Sequence, residues 1–332
     1  MIVEVIKVLL TFGVTTFGSA EESTLLNVIQ EGKREHYELG RFTRRRYQDF
    51  LPEKYSREDF IVWTTNTDRT YMSASCHLAG LFPPVGEQVW HKDIPWQPIP
   101  IFPSELATMN PLFVGCNRYS TLHKKVWSTE EHYVQIDREN QELYEYLTEN
   151  SGTNITSLFD AFLIFDALHI EDRQKHVLPE WTKAVYPEPL SSLANELVKS
   201  FSFTDEQKRL STGPFLYFVI RQFEAYLADP SSAHKYLQFS AHDFNIASIL
   251  NTLGAFEPPL VPNFASTIYI ELREQNGTNL INVYYKNYDG PEQIIIKGCD
   301  FNCNLQDFKS IVDNFAISPE EWYQICETEV TD

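Results

Sequence analysis

The sequence is poor in basic side chains. Among its 332 residues, 27 lysines and arginines stand against 46 aspartates and glutamates, which gives a formal net charge of −19. Affinity for nucleic acids and for anionic membranes depends on neutralising phosphate groups with basic side chains. We therefore expect neither kind of partner. The negative field attracts cations weakly, although high solubility accounts for it equally well.

Long apolar runs, internal repeats and paired metal-ligand motifs are also missing. No apolar stretch approaches the roughly 20 residues that cross a membrane. The spacing of Cys299 and Cys303 lacks the second ligand pair that a structural zinc site needs, and it suits a short disulfide loop better. The sequence therefore predicts no metal and no cofactor. The five cysteines are Cys76, Cys116, Cys299, Cys303 and Cys326.

Hydrophobic residues make up 43% of the chain and aromatic residues 14%, which is ample for a packed core. Three apolar runs resemble buried strands, and each leads through a polar turn into a helical pattern. This succession predicts a parallel or mixed sheet with its ligand crevice beyond the carboxyl ends of the strands. The three runs are Val3–Leu10, Phe60–Trp63 and Tyr236–Phe239, and their turns are Thr11–Thr16, Thr64–Arg69 and Ala241–Asp243.

The middle of the chain differs from both ends. Residues 105–234 are rich in helix formers and aromatic residues and contain no strong strand pattern. We predict an α/β fold with a mixed, mostly parallel central sheet flanked by helices. Residues 1–104 and 235–332 form its core domain, and residues 105–234 form a helical cap domain over the crevice. Further strands are predicted at Thr267–Leu272, Leu280–Tyr285 and Gln293–Ile296.

Several features indicate a secreted, extracellular glycoprotein. Glycosylation sequons begin at Asn154 and Asn276, and an acidic chain with disulfides is typical of an oxidising compartment. Residues 1–20 resemble a signal peptide that ends in Gly-Ser-Ala. However, Glu4 and the threonines and glycines that dilute the apolar stretch favour a first core strand at Ile2–Leu10.

Half of an active site is recognisable. Ser240-Ala241-His242-Asp243 follows an apolar run and opens a helical pattern, as a catalytic acid site does. The corresponding turn near the N-terminus, Thr11–Thr15, reads Thr-Phe-Gly-Val-Thr and contains no nucleophile, base or positive charge. The contrast between the two turns decides which chemistry the crevice supports.

An ordered set of motifs over most of the chain resembles the histidine acid phosphatases, which belong to branch 2 of the histidine phosphatase superfamily. That resemblance implies an α/β core with a helical cap, in agreement with the pattern of strands and helices. The motifs are Glu35–Gly40, Arg45–Tyr47, Thr67–Thr70, Leu81–Pro84, Trp96–Pro100 and Ser240–Asp243.

In that family the first strand ends in Arg-His-Gly-Asp-Arg. Its histidine attacks phosphorus, and its arginines clamp the phosphate oxygens. Alignment on the shared glycine places Thr11 and Thr15 at the two arginines and Phe12 at the nucleophile. Loss of a nucleophile costs on the order of 10⁶ in turnover. The resemblance therefore implies a pseudoenzyme without catalytic residues, in which Phe12, Arg69, His242 and Asp243 are vestiges of the site.

The altered crevice suits an aromatic or cationic small molecule. We predict that Phe12, Trp63, Arg69, His242 and Asp243 bind this ligand, with Asp243 as the acceptor for an ammonium group. Alternative roles stay open for three of these residues. Phe12 and Trp63 could fill the core, and Arg69 could form a structural ion pair.

Degenerate secreted chains of this kind resemble the acid-phosphatase-like salivary proteins of blood-feeding insects, fleas in particular. This implies secretion into saliva and sequestration of host mediators, either biogenic amines such as serotonin or lipid mediators such as leukotrienes. One alternative is a weakly active acid phosphomonoesterase that uses His242 as its nucleophile. Another is a salivary interaction protein or allergen that binds a host protein.

The resemblance also implies pairing of cysteines and a way to dimerise. Cys116 pairs with Cys326 and Cys299 with Cys303 in the family pattern, which leaves Cys76 as a free thiol. The family often dimerises through the segment around Trp96. Phe102 stands where that segment usually has a histidine, so the oligomeric state is left open.

Overall fold

The computed structural model describes residues 2–12, 22–104, 115–287 and 290–328, with the backbone alone for 2–12 and 22–29. Its strands follow the predicted positions closely. The described strands are β1 Ile2–Phe12, β2 Phe60–Thr64, β3 Phe102–Pro103, β4 Tyr236–Ala241, β5 Thr267–Gln275, β6 Thr278–Lys286, β7 Glu292–Ile294 and β8 Cys303–Asn304.

These strands form one mixed sheet, so the predicted α/β fold is confirmed. The strand order is β3-β2-β4-β1-β5-β6-β7, with β8 also paired to β6. Strands β1 to β4 pair in parallel, whereas β5 to β8 add antiparallel pairs. Fewer of the strand pairs are parallel than predicted, three against four antiparallel pairs. One reason is local: Asn276 and Gly277 both have positive φ, as a two-residue hairpin requires, and they return the chain antiparallel into β6.

Eleven α-helices lie within the described residues. Helices α3 to α8 occupy the stretch between β3 and β4, where a helical cap was predicted. The domain boundaries at residues 104 and 235 stay a prediction. The helices are α1 Glu22–Arg46, α2 Asp68–Leu81, α3 Asn117–Thr129, α4 Glu131–Glu139, α5 Gln141–Ser151, α6 Leu158–Arg173, α7 Leu190–Ser200, α8 Asp205–Ala228, α9 Asp243–Thr252, α10 Leu305–Val312 and α11 Pro319–Cys326.

Both faces of the sheet are covered. Apolar residues of α8, α9 and α10 share one hydrophobic core with β4, β5 and β6. A second core contains residues of α2, β2, β4 and β5. Helices α1 and α2 approach each other closely, because a Cβ atom on Gly40 would lie 2.0 Å from the carbonyl oxygen of His77. This contact is a packing reason for glycine at position 40, inside one of the family motifs.

The helices between β3 and β4 have a core of their own. It is built from apolar residues of α3 to α7, and Phe244 at the start of α9 inserts into it. The residue that follows Asp243 therefore ties the turn after β4 to these helices. This places the predicted crevice between the carboxyl edge of the sheet and α6 and α7.

Both disulfides that the resemblance implies are present, and Cys76 is a free thiol. Cys116, just before α3, is bonded to Cys326 in α11 across 210 residues. Two such bonds indicate folding in an oxidising compartment. Over the described part of the chain, no helix combines the length and the apolar character needed to cross a membrane.

Candidate functional site

The carboxyl ends of β1, β2 and β4 meet at one edge of the sheet. Ser240 in β4 is paired with Thr11 on one side and Thr64 on the other, and Phe12 is paired with Ala241. The backbone of Phe12 therefore lies beside the strand that leads into His242. The side chains of Thr11 and Phe12, and the whole of Thr15, lie outside the described part of the structure.

His242 is held at both ring nitrogens. Its Nδ1 lies 3.2 Å from Nη2 of Arg69, and its Nε2 lies 3.0 Å from the hydroxyl of Thr65. A guanidinium can only donate, so Nδ1 must be the acceptor and Nε2 carries the proton. The Thr65 hydroxyl accepts a hydrogen bond from this N–H and donates one to the hydroxyl of Thr70. The Thr70 hydroxyl in turn donates a hydrogen bond to the backbone carbonyl of Thr65.

The imidazole of His242 is neutral at physiological pH. Burial, together with the charge of the neighbouring Arg69 guanidinium, lowers its pKa to about 3. Because its proton is on Nε2 and its Nδ1 lone pair is engaged by Arg69, the ring has no free lone pair in this arrangement. Nucleophilic attack from His242 would need one of these two contacts to break first.

Asp243 is the acid of the site and is the first residue of α9. It is only 7% exposed, and its Oδ1 accepts a hydrogen bond of 2.8 Å from the backbone N–H of Phe244. Burial raises the pKa of this carboxyl to about 6, against the lowering effect of the backbone donor and of Arg69. Asp243 is therefore mostly ionised at neutral pH and protonated in acid.

Asp243 opens into a cavity of about 370 Å³, which we call the acidic cavity. The other walls come from α6, from the segment before α7, from α7 itself and from the loop before β5. This is a usual size for a small-molecule site. Its lining residues are Phe165, Asp166, His169, Tyr186, Pro187, Glu188, Ser191, Asn195, Asp243, Leu260, Val261, Pro262, Asn263 and Phe264.

Three carboxyl groups line the acidic cavity, and none of the described lining residues is a lysine or an arginine. Buried Asp243 forms the inner end, Asp166 is partly exposed, and Glu188 is at the exposed rim. Hydrogen bonds from Ser191 and Ser192 lower the pKa of Glu188. The cavity is therefore negative at neutral pH.

Aromatic rings form one wall of the acidic cavity. The ring of Phe165 stacks on His169 at 5.4 Å between centroids and lies 6.2 Å from the ring of Tyr186. The Tyr186 hydroxyl donates to Asp172 at 3.1 Å, which fixes its ring. Burial, together with the charge of Arg173, lowers the pKa of His169, so this imidazole adds no positive charge at neutral pH.

The predicted site residues divide into two groups. Arg69, His242 and Asp243 come together at the edge of the sheet, as the motifs imply. Trp63 does not line the acidic cavity. Its ring stacks on Phe239 at 5.1 Å and meets Phe218 of α8 edge-on at 5.6 Å, which is core packing on the face of the sheet.

Sequence reasoning missed the contribution of the helices between β3 and β4. Asp166, Tyr186 and Glu188 were not singled out, although they supply two of the three carboxylates and part of the aromatic wall. One signal was available: Asp166 interrupts an otherwise apolar run in α6, Ala161–Leu168. A charge in such a run is a reason to look for a polar site on that face of the helix.

The described residues contain no cluster of three or more histidine, cysteine, aspartate or glutamate side chains that could hold a metal ion. The three carboxylates of the acidic cavity thus do not converge as metal ligands do.

Comparison with known proteins identifies relatives over nearly the whole chain. A family model described as histidine phosphatase superfamily (branch 2) matches residues 20–286. Lysosomal acid phosphatase of Homo sapiens is 31% identical over 310 residues, covering 90% of this chain and 71% of that protein. Prostatic acid phosphatase of Rattus norvegicus is 29% identical over 304 residues, covering 89% of this chain and 78% of that protein.

The fold is shared with more distant solved structures. The apo form of Hafnia alvei phytase superposes with a TM-score of 0.70 at 17% identity, covering 99% of both chains. The multiple inositol polyphosphate phosphatase of Bifidobacterium longum, in complex with inositol hexasulfate, gives a TM-score of 0.63 at 8% identity. It covers 96% of this chain and 94% of that one. At these identities the likeness concerns the fold alone.

Proposed function

The chain belongs to the histidine phosphatase superfamily, branch 2, and on this premise we propose that it sequesters small aromatic amines, such as serotonin, in the acidic cavity. It does so as a secreted pseudoenzyme rather than as a phosphatase. The observation that carries the proposal is the lining of the cavity: three carboxylates, an aromatic wall and no lysine or arginine among the described residues. A phosphate ester would be repelled there, whereas an ammonium group would be stabilised.

The energies of these contacts are sufficient for useful affinity. A charge-assisted hydrogen bond between an ammonium group and Asp243 contributes roughly 1.5–3 kcal/mol. An aromatic ring against the wall of Phe165 and Tyr186 adds about 0.5–1.5 kcal/mol beyond its burial. With the burial of an indole-sized ring, these contributions approach the roughly 8 kcal/mol that correspond to micromolar binding.

Sequestration needs no turnover, and the residues at the edge of the sheet fit that role. Phe12 cannot attack phosphorus, and Thr11 and Thr15 cannot clamp phosphate as arginines do. The relatives are acid phosphatases by name, so weak phosphomonoesterase activity through His242 is the second candidate. The engagement of both nitrogens of His242 weighs against it.

Calorimetric titration with serotonin tests the proposal. We expect saturable binding near one equivalent with micromolar or better affinity, and at least ten-fold weaker binding in Asp243→Asn, because the variant loses a charge-assisted contact. Asp205→Asn is the matched control, since it removes one exposed carboxylate that does not line the cavity. Unchanged serotonin binding in a folded Asp243→Asn variant would refute this placement.

Phosphate release separates the two candidate functions. We expect no release above the blank from a phosphomonoester at acidic pH, even at high protein concentration. Release that disappears in His242→Ala would instead support the phosphomonoesterase. A lipid carboxylate such as a leukotriene is a poorer fit, because the acidic cavity has no lysine or arginine among its described lining to pair with it.

Secretion is part of the proposal. The two disulfides suit an oxidising compartment, and both sequon asparagines, Asn154 and Asn276, are exposed. Asn276 is at the tip of the hairpin between β5 and β6. Glycosidase treatment of the secreted protein, followed by mass measurement, tests for glycans at these two positions.

A further inference from the structure

A second cavity lies behind the acidic one, and we call it the mixed-charge cavity. It has a volume of about 320 Å³ and is enclosed by α1, the end of α6, the loop before β5 and the end of β6. Asn263 and Phe264 line both cavities. The lining of the mixed-charge cavity includes Glu35, Phe42, Arg173, Phe264, Lys286 and Asn287.

Arg173 and Glu35 are held by hydrogen bonds, yet each also has one buried polar atom without a hydrogen-bond partner among the described residues. The Arg173 guanidinium donates to Glu35 and to Asn263 through its terminal nitrogens, and it lies 3.3 Å from Glu31. Its Nε and the second carboxylate oxygen of Glu35 are both buried and have no hydrogen-bond partner among the described residues. One orphan donor and one orphan acceptor therefore belong to residues that line this cavity.

Asn287 contributes a second orphan donor. Its Oδ1 accepts from the backbone N–H of Asn263 at 2.9 Å and from the hydroxyl of Ser266 at 2.7 Å. A backbone N–H can only donate, so the bond from Asn263 identifies the oxygen and fixes the orientation of the amide. The Nδ2 group is buried and has no partner within the described chain.

Buried polar groups in folded proteins are nearly always paired, so three orphan atoms around one cavity require an explanation. The backbone supplies an independent observation. Ala265, which also lines the cavity, has a φ of 55°, a left-handed conformation that a non-glycine residue rarely adopts. Strained residues of this kind concentrate at binding sites, where the surroundings hold them in place.

The chemistry of the orphan atoms defines the ligand. Two N–H donors and the ammonium group of Lys286, all on residues that line this cavity, suit a carboxylate, and the second oxygen of Glu35 suits an ammonium group. Phe42 and Phe264 provide an apolar wall. We propose that the mixed-charge cavity binds a small zwitterion of the α-amino acid class with an apolar side chain. This site is independent of amine binding in the acidic cavity.

Titration with L-phenylalanine tests the second site. We expect saturable binding to the full chain, weakened about ten-fold or more in Glu35→Gln and in Asn287→Ala, because each variant removes one orphan group. N-acetyl-L-phenylalanine lacks the ammonium group and should bind at least ten-fold more weakly. Glu31→Gln is the matched control: Glu31 also contacts Arg173 but does not line the cavity, so binding should stay within two-fold.

The two cavities are distinguished by their variants. If L-phenylalanine binding is lost in Asp243→Asn but kept in Glu35→Gln, the amino acid occupies the acidic cavity and the second site is refuted. Absence of any binding by a protein whose thermal unfolding is cooperative would mean that only water fills the mixed-charge cavity, which also refutes it. Equal binding of L-phenylalanine and its N-acetyl derivative would refute the role of Glu35.

Discussion

The acidic and the mixed-charge cavities share a wall and yet present opposite chemistry. Three carboxylates and no lysine or arginine line the first within the described residues, whereas two carboxylates and three lysine or arginine side chains line the second. The difference comes from the elements behind each wall. Both cavities take a charge from α6, Asp166 for the first and Arg173 for the second. The segment before α7 and the start of α9 supply the other carboxylates of the acidic cavity, while α1 and β6 supply the other charges of the mixed-charge cavity. The two proposed ligands differ for this reason.

The sheet edge beside the acidic cavity holds Arg69, His242 and Asp243 together. On the proposed function, Thr11 and Thr15 stand where the family resemblance implies arginines, so Arg69 is the cation beside Asp243. We propose that Asp243 then serves the acidic cavity, which it lines, and not a phosphate.

Removing negative charge from the acidic cavity should weaken serotonin binding more than any other change. In the double variant Asp166→Asn/Asp243→Asn we expect serotonin binding to weaken about 100-fold, because two carboxylates near the ammonium group are lost. Binding of L-phenylalanine in the mixed-charge cavity should stay within two-fold. Calorimetry on the same preparation measures both. Parallel losses for the two ligands would show that the cavities are not separate sites.

The pH dependence of serotonin binding should follow Asp243. Its pKa of about 6 means that the carboxylate form, which the ammonium group needs, is present above pH 6 and is lost as the pH falls through 6. His242, with a pKa of about 3, stays neutral across this range. From pH 7.5 to pH 5.0 we expect about ten-fold weaker binding, since only about a tenth of Asp243 remains ionised.

Asp243→Asn is the control for the pH dependence of serotonin binding. This variant should bind serotonin weakly at both pH 7.5 and pH 5.0. Glu188 does not account for the transition, because its hydrogen bonds with Ser191 and Ser192 keep its pKa below the ordinary value for a glutamate. A profile of the natural chain that is flat between pH 5.0 and pH 7.5 would contradict a role for Asp243 as the ammonium partner.

The sequence predicted the sheet edge well and the cavities poorly, for a physical reason. Strand runs and motif order are local patterns, so the positions of β2 and β4 and the meeting of Arg69 with His242 could be predicted. Asp166 and Glu188 reach the site only through the packing of α6 and the segment before α7, which no local pattern encodes. Trp63 is a different case. Its position at the end of a strand suggested the crevice, whereas its ring stacks on Phe239 in the core, which is the alternative that the sequence left open.

The shared wall offers a third test, in which both ligands should respond together. The Arg173 guanidinium lies 4.8 Å from the ring centroid of Phe264, so this ring supports the mixed-charge cavity on one side and lines the acidic cavity on the other. In Phe264→Leu we expect serotonin and L-phenylalanine each to bind about three- to ten-fold more weakly, as aromatic contacts of this kind are lost. If Phe264→Leu weakened the binding of only one of the two ligands, the Phe264 ring would contribute to only one of the two cavities.

A substitution at the rim of the acidic cavity should change serotonin binding least. Glu188 is exposed, so water and salt screen its attraction for an incoming amine, unlike that of buried Asp243. We expect Glu188→Gln to weaken serotonin binding about two-fold at low salt and not measurably at high salt. Glu180→Gln, an equally exposed charge change outside the cavity lining, should have no effect at either salt concentration. A salt-independent loss in Glu188→Gln would instead place the ammonium group at the rim, beside Glu188, and not at Asp243.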